Sequence, residues 1–158
     1  MTAVTLIHVG DFRESYYREA EAEFRKRLQT YCRFNTVCVS EERISDEGNP
    51  ALVARALAAE AVRIRAAIPP RSVCVALCVE GKQMSSERFA SWLEQTIPEG
   101  PLCFLIGSSF GLDAALKKDC ALLLSLSEMT FPHRIARLLL EEQLYRAFSI
   151  SAGKRYHK

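Results

Sequence analysis

The chain has 158 residues, of which 49% are hydrophobic and 25% charged, with 21 basic and 19 acidic side chains. That is the profile of one ordinary globular domain, 1–158, large enough to bury a core without metal or disulfide staples; it excludes intrinsic disorder and two independent domains. No apolar run approaches the roughly 18 residues that span a bilayer, and the start MTAVTLIHVGDFRE has no basic flank, so the chain reads as cytoplasmic and without a membrane partner.

The pattern along the chain alternates strands and helices. Val4–Val9 is a β-branched apolar run that ends at Gly10-Asp11, and Phe12–Leu28 then carries Tyr16 or Tyr17, Ala20, Phe24 and Leu28 at helical spacing. Phe34–Ser40 is a second strand, and an alanine-rich helix follows the turn at Asp46–Pro50 and runs to Ile68, where Pro69-Pro70 stops it. Next come strand Ser72–Val79, a turn at Glu80–Lys82, and helix Ser85–Thr96 with Ser85 as N-cap. Strand Leu102–Ile106, loop Gly107–Gly111, short helix Leu112–Lys118, strand Ala121–Leu126, loop Ser127–Pro132 and a last helix His133–Ile150 complete it. Short, wholly apolar strands alternating with helices predict an α/β fold: a mostly parallel sheet covered by helices on both faces.

Six cysteines, without a CxxC, read as free thiols buried in the core, and no metal-ligating spacing of His and Cys is present. Cys74 and Cys78 lie on one strand face about 13 Å apart, too far to share a metal.

In parallel sheets ligands bind beyond the carboxyl ends of the strands, which singles out the loops Glu80–Met84, Gly107–Gly111 and Ser127–Pro132. GSSFG lacks both the GxGxxG and the Gly-Lys-Ser/Thr phosphate signatures, so alone it is equally a plain strand–helix turn. Ser127–Pro132 combines backbone amides with apolar Met129 and Phe131, which suits a flat heterocycle as well as a hydrophobic plug, and Pro132 starts the last helix. That helix carries Ile135, Leu138, Leu139, Tyr145, Phe148 and Ser149 on one broad face. Glu142 falls inside this face and Arg146, four residues on, is oriented to pair with it. His8 reads as a half-buried strand residue and His133 as a helix start at the mouth of a site.

Charge is uneven. Lys154, Arg155 and Lys158 stand in the last five residues without an acid, leaving 18 basic against 19 acidic residues over 1–153. Tyr156 and His157 between them add an aromatic ring able to stack on a base and a group that exchanges protons near neutrality.

VEGK after the third strand, FLIGSSFGL, LSLSEMTFPHRIARLLLEEQLYRAFSI and a terminal YHK, in this order, resemble the ribosomal RNA large-subunit methyltransferase H family of the SPOUT class. The resemblance implies a C-terminal trefoil knot, a homodimer and S-adenosylmethionine (S-adenosyl-L-methionine) bound among the knotted loops. It implies methylation of N3 of a pseudouridine in 23S ribosomal RNA on assembled ribosomes. Its cofactor contacts would be Leu77, Gly107, Ser108, Ser127, Glu128, Met129, Thr130, Phe131 and Pro132, with Ser108 standing where the family usually has a second glycine. His133, Glu142, Arg146, Tyr156 and His157 would form the catalytic, substrate-side set, with His157 the first and His133 the second proton acceptor, and Lys154, Arg155 and Lys158 would hold RNA. The competing reading is a non-catalytic knotted dimer that binds ribosomal RNA as an assembly factor.

Overall fold

A computed structural model describes all of residues 1–158. Five strands form one sheet: β1 (Ala3–Val9), β2 (Arg33–Val39), β3 (Val73–Gln83), β4 (Leu102–Ile106) and β5 (Leu122–Ser125), in the spatial order β2-β1-β4-β3-β5 and parallel throughout. Five α-helices connect and follow them: α1 (Ser15–Leu28), α2 (Pro50–Ala67), α3 (Ser86–Thr96), α4 (Ala114–Lys118) and α5 (His133–Ser151). No helix is long and apolar enough to cross a membrane.

The strands are apolar on both faces because both faces are covered. Val4, Leu6, Val75, Leu102, Phe104 and Ile106 point into one core, closed by Leu28 of α1, Phe89 and Leu93 of α3, and Leu140, Leu144 and Ala147 of α5. The alternate positions Ile7, Val9, Ala76, Cys103 and Leu105 point into the other, closed by Ala61 and Ile64 of α2 and Leu116 of α4. Period-two alternation thus divides each strand between two cores.

Side chains set the helix starts. Asn49 Oδ1 accepts from the N–H groups of Ala51 and Leu52 at 3.0 and 3.4 Å, with Pro50 at the first helical position. Ser85 Oγ accepts from Arg88 N at 3.2 Å, as its sequence position predicts. Asp113 Oδ2 accepts from Leu116 N at 3.1 Å, which makes Asp113 the cap and begins α4 at Ala114 rather than at Leu112.

Four sequence expectations need correction, and one open alternative, Tyr16 or Tyr17, is decided. Glu80–Lys82 is not a free turn: β3 continues to Gln83, but Leu77 and Lys82 both sit opposite Leu124, so Cys78–Gly81 bulges out of the ladder. Gly81 lies so close to β5 that a Cβ would come within 2.7 Å of the Leu123 and Leu124 backbone. On α1 it is Tyr17 that packs on Phe12, with ring centroids 5.4 Å apart, while Tyr16 is exposed. His8 is fully buried, and Cys38 is an exposed thiol rather than a core residue. The inward face of α5 is rotated from the predicted one: Ala136, Leu140, Leu144 and Ala147 are buried, and Ile135 and Leu139 remain 36% and 37% exposed.

Candidate active site

The carboxyl ends of β3, β4 and β5 open onto a cavity of about 770 Å³. Its walls are Leu77–Glu80, Ile106–Leu112 and Leu126–His133 without Glu128, together with Lys117 and Ala136; the second and third contain the predicted loops, whereas of the predicted Glu80–Met84 only Glu80 lines the cavity, the wall there being the end of β3 and its bulge. Leu77, Gly107, Ser108, Ser127, Met129, Thr130, Phe131, Pro132 and His133 all face it, whereas Glu128 is exposed outside it.

Each bend has a local cause. At Gly107 a Cβ would stand 2.1 Å from Gly111 O, so only glycine lets the loop close on itself. Gly111 N donates to Ser108 O at 2.9 Å, and Gly111 takes the left-handed φ of 86° that ends the turn. Ser108 is buried, and its hydroxyl accepts from Phe110 N at 3.3 Å; its side chain is therefore turned into its own loop. In the third bend Ser127 Oγ accepts from Met129 N at 3.0 Å and Ser125 Oγ donates to Ser127 O at 2.9 Å. The N–H groups of Thr130 and Phe131 make no hydrogen bond within the chain and are free for a ligand. Two free donors beside the Met129 and Phe131 side chains suit the edge and face of a purine.

Pro132 caps α5 and places His133 at its start. Burial, reinforced by the neighbouring Arg134 guanidinium, holds the His133 imidazole below its usual pKa, so the ring is neutral at pH 7. Directly behind it lies a small cleft shared by His8, Asp11, Phe12, Ile106, His133 and Arg137. Sequence reasoning missed this region. Arg137 stacks on the Phe12 ring 4.0 Å from its centroid, pairs with Glu21 and reaches Asp11 at 3.4 Å.

The other predicted residues assemble at the far end of α5. Glu142 Oε1 accepts from Arg146 Nη2 at 2.6 Å, from Arg146 Nε at 3.0 Å and from the Tyr156 hydroxyl at 3.1 Å. The Arg146 guanidinium also lies 4.7 Å from the centroid of the Tyr156 ring. Arg146 Nη1 is 3.3 Å from His157 Nδ1, and since arginine can only donate, Nδ1 accepts and Nε2–H donates to Glu87 Oε1 at 2.7 Å. Lys154 Nζ lies 5.2 Å from the Tyr31 ring centroid, and Arg155 and Lys158 are exposed. Glu87 was not legible as a member of this cluster, because it reaches His157 across 70 residues of sequence.

The two groups are separate within one chain. Thirteen residue steps along the helix from His133 to Arg146 correspond to about 20 Å at 1.5 Å per residue. The cavity therefore has a neutral imidazole at its rim and free backbone donors, and the cationic, aromatic cluster lies at the opposite end of the helix.

Comparison with known proteins is consistent along the whole chain. The family described as predicted SPOUT methyltransferase matches residues 2–157. A ribosomal RNA large subunit methyltransferase H from Streptococcus equi subsp. zooepidemicus is 39% identical over 157 residues, covering 98% of this chain and 99% of that one. The protein of the same name from Bifidobacterium adolescentis is 41% identical over 157 residues, with the same coverage. Among solved structures, a probable methylase family protein from Haemophilus influenzae superposes with a TM-score of 0.59 at 15% identity, covering 99% of this chain and 71% of that one. A probable methyltransferase from Bordetella pertussis gives 0.55 at 16% identity, covering 93% and 95%. These two likenesses concern the fold. With its sheet, its cavity of three bends and a family match from end to end, the chain belongs to the SPOUT methyltransferases.

Proposed function

We propose that this protein transfers a methyl group from S-adenosylmethionine to N3 of a pseudouridine in 23S ribosomal RNA, on assembled ribosomes, as a homodimer. The observation that carries the reading is the cavity at the strand ends, whose third bend offers two unused N–H donors beside apolar side chains. Thr130 and Phe131 N–H would hold the adenine edge, Leu77 and Met129 would cover its faces, and the Gly107–Ser108 turn would leave room for the rest. The bound cofactor supplies an electrophilic methyl group on a positively charged sulfur.

Methyl transfer of this kind is an in-line displacement, so the protein's part is alignment and removal of the N3 proton. His133 is neutral, borders the cavity and has a lone pair for that proton. His157 is less well prepared: Arg146 occupies its Nδ1 and Glu87 its Nε2–H, so it accepts a proton only after leaving Arg146. Arg146, Tyr156 and the Lys154, Arg155 and Lys158 cations would instead bind and stack RNA. Because this cluster lies about 20 Å from His133 along α5, the reading requires the tail of a second copy to meet the cavity of the first. The C-terminal trefoil knot belongs to the same reading, supported by the path of the chain from β5 at the sheet edge back to α5 between α1 and α3.

Mass mapping of large-subunit ribosomal RNA from cells lacking this protein tests the reading: one methyl group on a pseudouridine should vanish and return with the wild-type gene. Unchanged RNA together with retained ribosome binding would establish the assembly-factor reading instead. With purified ribosomes, kcat/KM should rise with pH and level off below about pH 6.5, the usual histidine value, because the His133 pKa is lowered. A His133→Ala protein should lose that inflection, and an unaltered profile would remove His133 as the base.

A further inference from the structure

Two charged groups on the cavity wall have no part in the mechanism above. Among its lining residues Glu80 is the only acidic residue and Lys117 the only lysine or arginine. They arrive from different elements: Glu80 from the Cys78–Gly81 bulge of β3, Lys117 from the last turn of α4. They meet with Lys117 Nζ donating to Glu80 Oε1 at 2.5 Å. The lysine thus engages one carboxylate oxygen and keeps the group ionised, below the usual carboxylate range.

The pair has no net charge, so it neither attracts nor repels a ligand by long-range Coulomb force. What it offers is direction, a carboxylate fixed by its cation and able to accept further hydrogen bonds. A carboxylate is an acceptor only and can take two O–H donors at once. If adenine sits on the Thr130–Phe131 backbone, the next group of the cofactor is the ribose, whose two vicinal hydroxyls are such a pair of donors. Dinucleotide-binding folds meet the same sugar with an acid for the same reason. A sulfonium or ammonium, which responds to net charge, gains little from a carboxylate already neutralised by Lys117.

We propose that Glu80, oriented by Lys117, accepts the ribose 2′- and 3′-hydroxyls of the cofactor and so selects ribonucleoside over deoxyribonucleoside ligands. This rests on the methyltransferase reading above. The test is calorimetric titration with S-adenosylhomocysteine and with its 2′-deoxyribose analogue. Wild-type protein should bind the analogue about tenfold more weakly, the usual loss for one charge-assisted hydrogen bond. Glu80→Ala should bind S-adenosylhomocysteine about 100-fold more weakly, having lost both bonds, and the analogue about tenfold more weakly, having lost the 3′-hydroxyl bond alone, bringing the two affinities together; Lys117→Met should fall between. The ligand-free variants should melt with wild type, because Glu80 is 58% exposed and ion pairs at that exposure add little stability. Wild-type discrimination retained in Glu80→Ala, or an equal loss for both ligands, would overturn the assignment of Glu80 alone. Failure of wild type to bind either ligand would overturn the methyltransferase reading and this inference with it.

Discussion

Helix α5 carries two arginine–glutamate pairs with the same four-residue spacing, and their environments give them opposite characters. Arg137 and Glu141 are 5% and 0% exposed; Arg146 and Glu142 are 24% and 18% exposed. In the outer pair the contact is 2.6 Å and both partners keep further bonds to Tyr156 and His157. In the inner pair the closest approach is 3.9 Å, and neither Glu141 oxygen accepts a hydrogen bond from a donor group. Burial, with the Glu21 carboxylate beside it, pushes the Glu141 carboxyl up to about 9, so it is a neutral acid at pH 7. Glu21 takes the Arg137 charge instead. Spacing on a helix therefore permits an ion pair, and desolvation decides whether one forms.

The largest effect is expected where a buried charge would lose its only compensation. Arg137→Met should lower the unfolding free energy by roughly 3 kcal/mol or more in denaturant titration, because the largely buried Glu21 is left unpaired. A loss below about 1 kcal/mol would mean that the inner cluster contributes nothing to holding α1 on α5.

The outer pair should separate activity from stability. Arg146→Ala is expected to reduce methyl transfer to ribosomes about 100-fold, the range for losing a positioning contact near the chemistry, with a melting temperature close to wild type. Equal falls in activity and in melting temperature would make the outer cluster structural.

Glu141 gives the third contrast, through pH. Its folded pKa of about 9 lies above the ordinary carboxylate value of 4.5, so the folded state holds a proton that the unfolded state releases between them. Stability contributed by this group is complete below the unfolded value and declines as pH rises toward 9, by up to about 1.4 kcal/mol per pH unit. Glu141→Gln keeps the shape without the proton, so it should flatten melting temperature against pH and be more stable than wild type at pH 8. A variant as pH-sensitive as wild type would show that Glu141 is ionised.

A third pair with the same spacing, Glu23 and Arg27 on α1, is 53% and 40% exposed. Glu23→Gln should leave the melting temperature unchanged within error at moderate salt, since water and counterions screen such pairs. The three pairs thus form a series in which the effect on folding falls with exposure.

Which parts of this were legible beforehand follows from how local their causes are. Gly107 and Pro132 marked two of the bends that wall the cavity, because the main-chain demands at a tight turn and at a helix start are met by particular residues. The two-faced burial of the strands was likewise visible as unbroken apolar runs. The rotation of α5 was not, because Ile135, Leu138, Leu139, Leu140 and Leu144 leave an apolar stripe too broad to fix its phase. The extension of β3 to Gln83 depends on pairing with β5 some 40 residues away, which no local pattern encodes.

The sequence by itself determined the alternation of elements, the placing of two of the three ligand-facing bends and the family, since all are written in short-range pattern and in motif order. Only the tertiary structure decided that Glu80 and Lys117 share the cavity, that Glu87 joins His157, that Arg137 chooses Glu21 over Glu141, and that the catalytic candidates fall into two groups at opposite ends of α5. Those outcomes depend on distance and desolvation between segments far apart in the chain, and both come into being only when the segments are packed together.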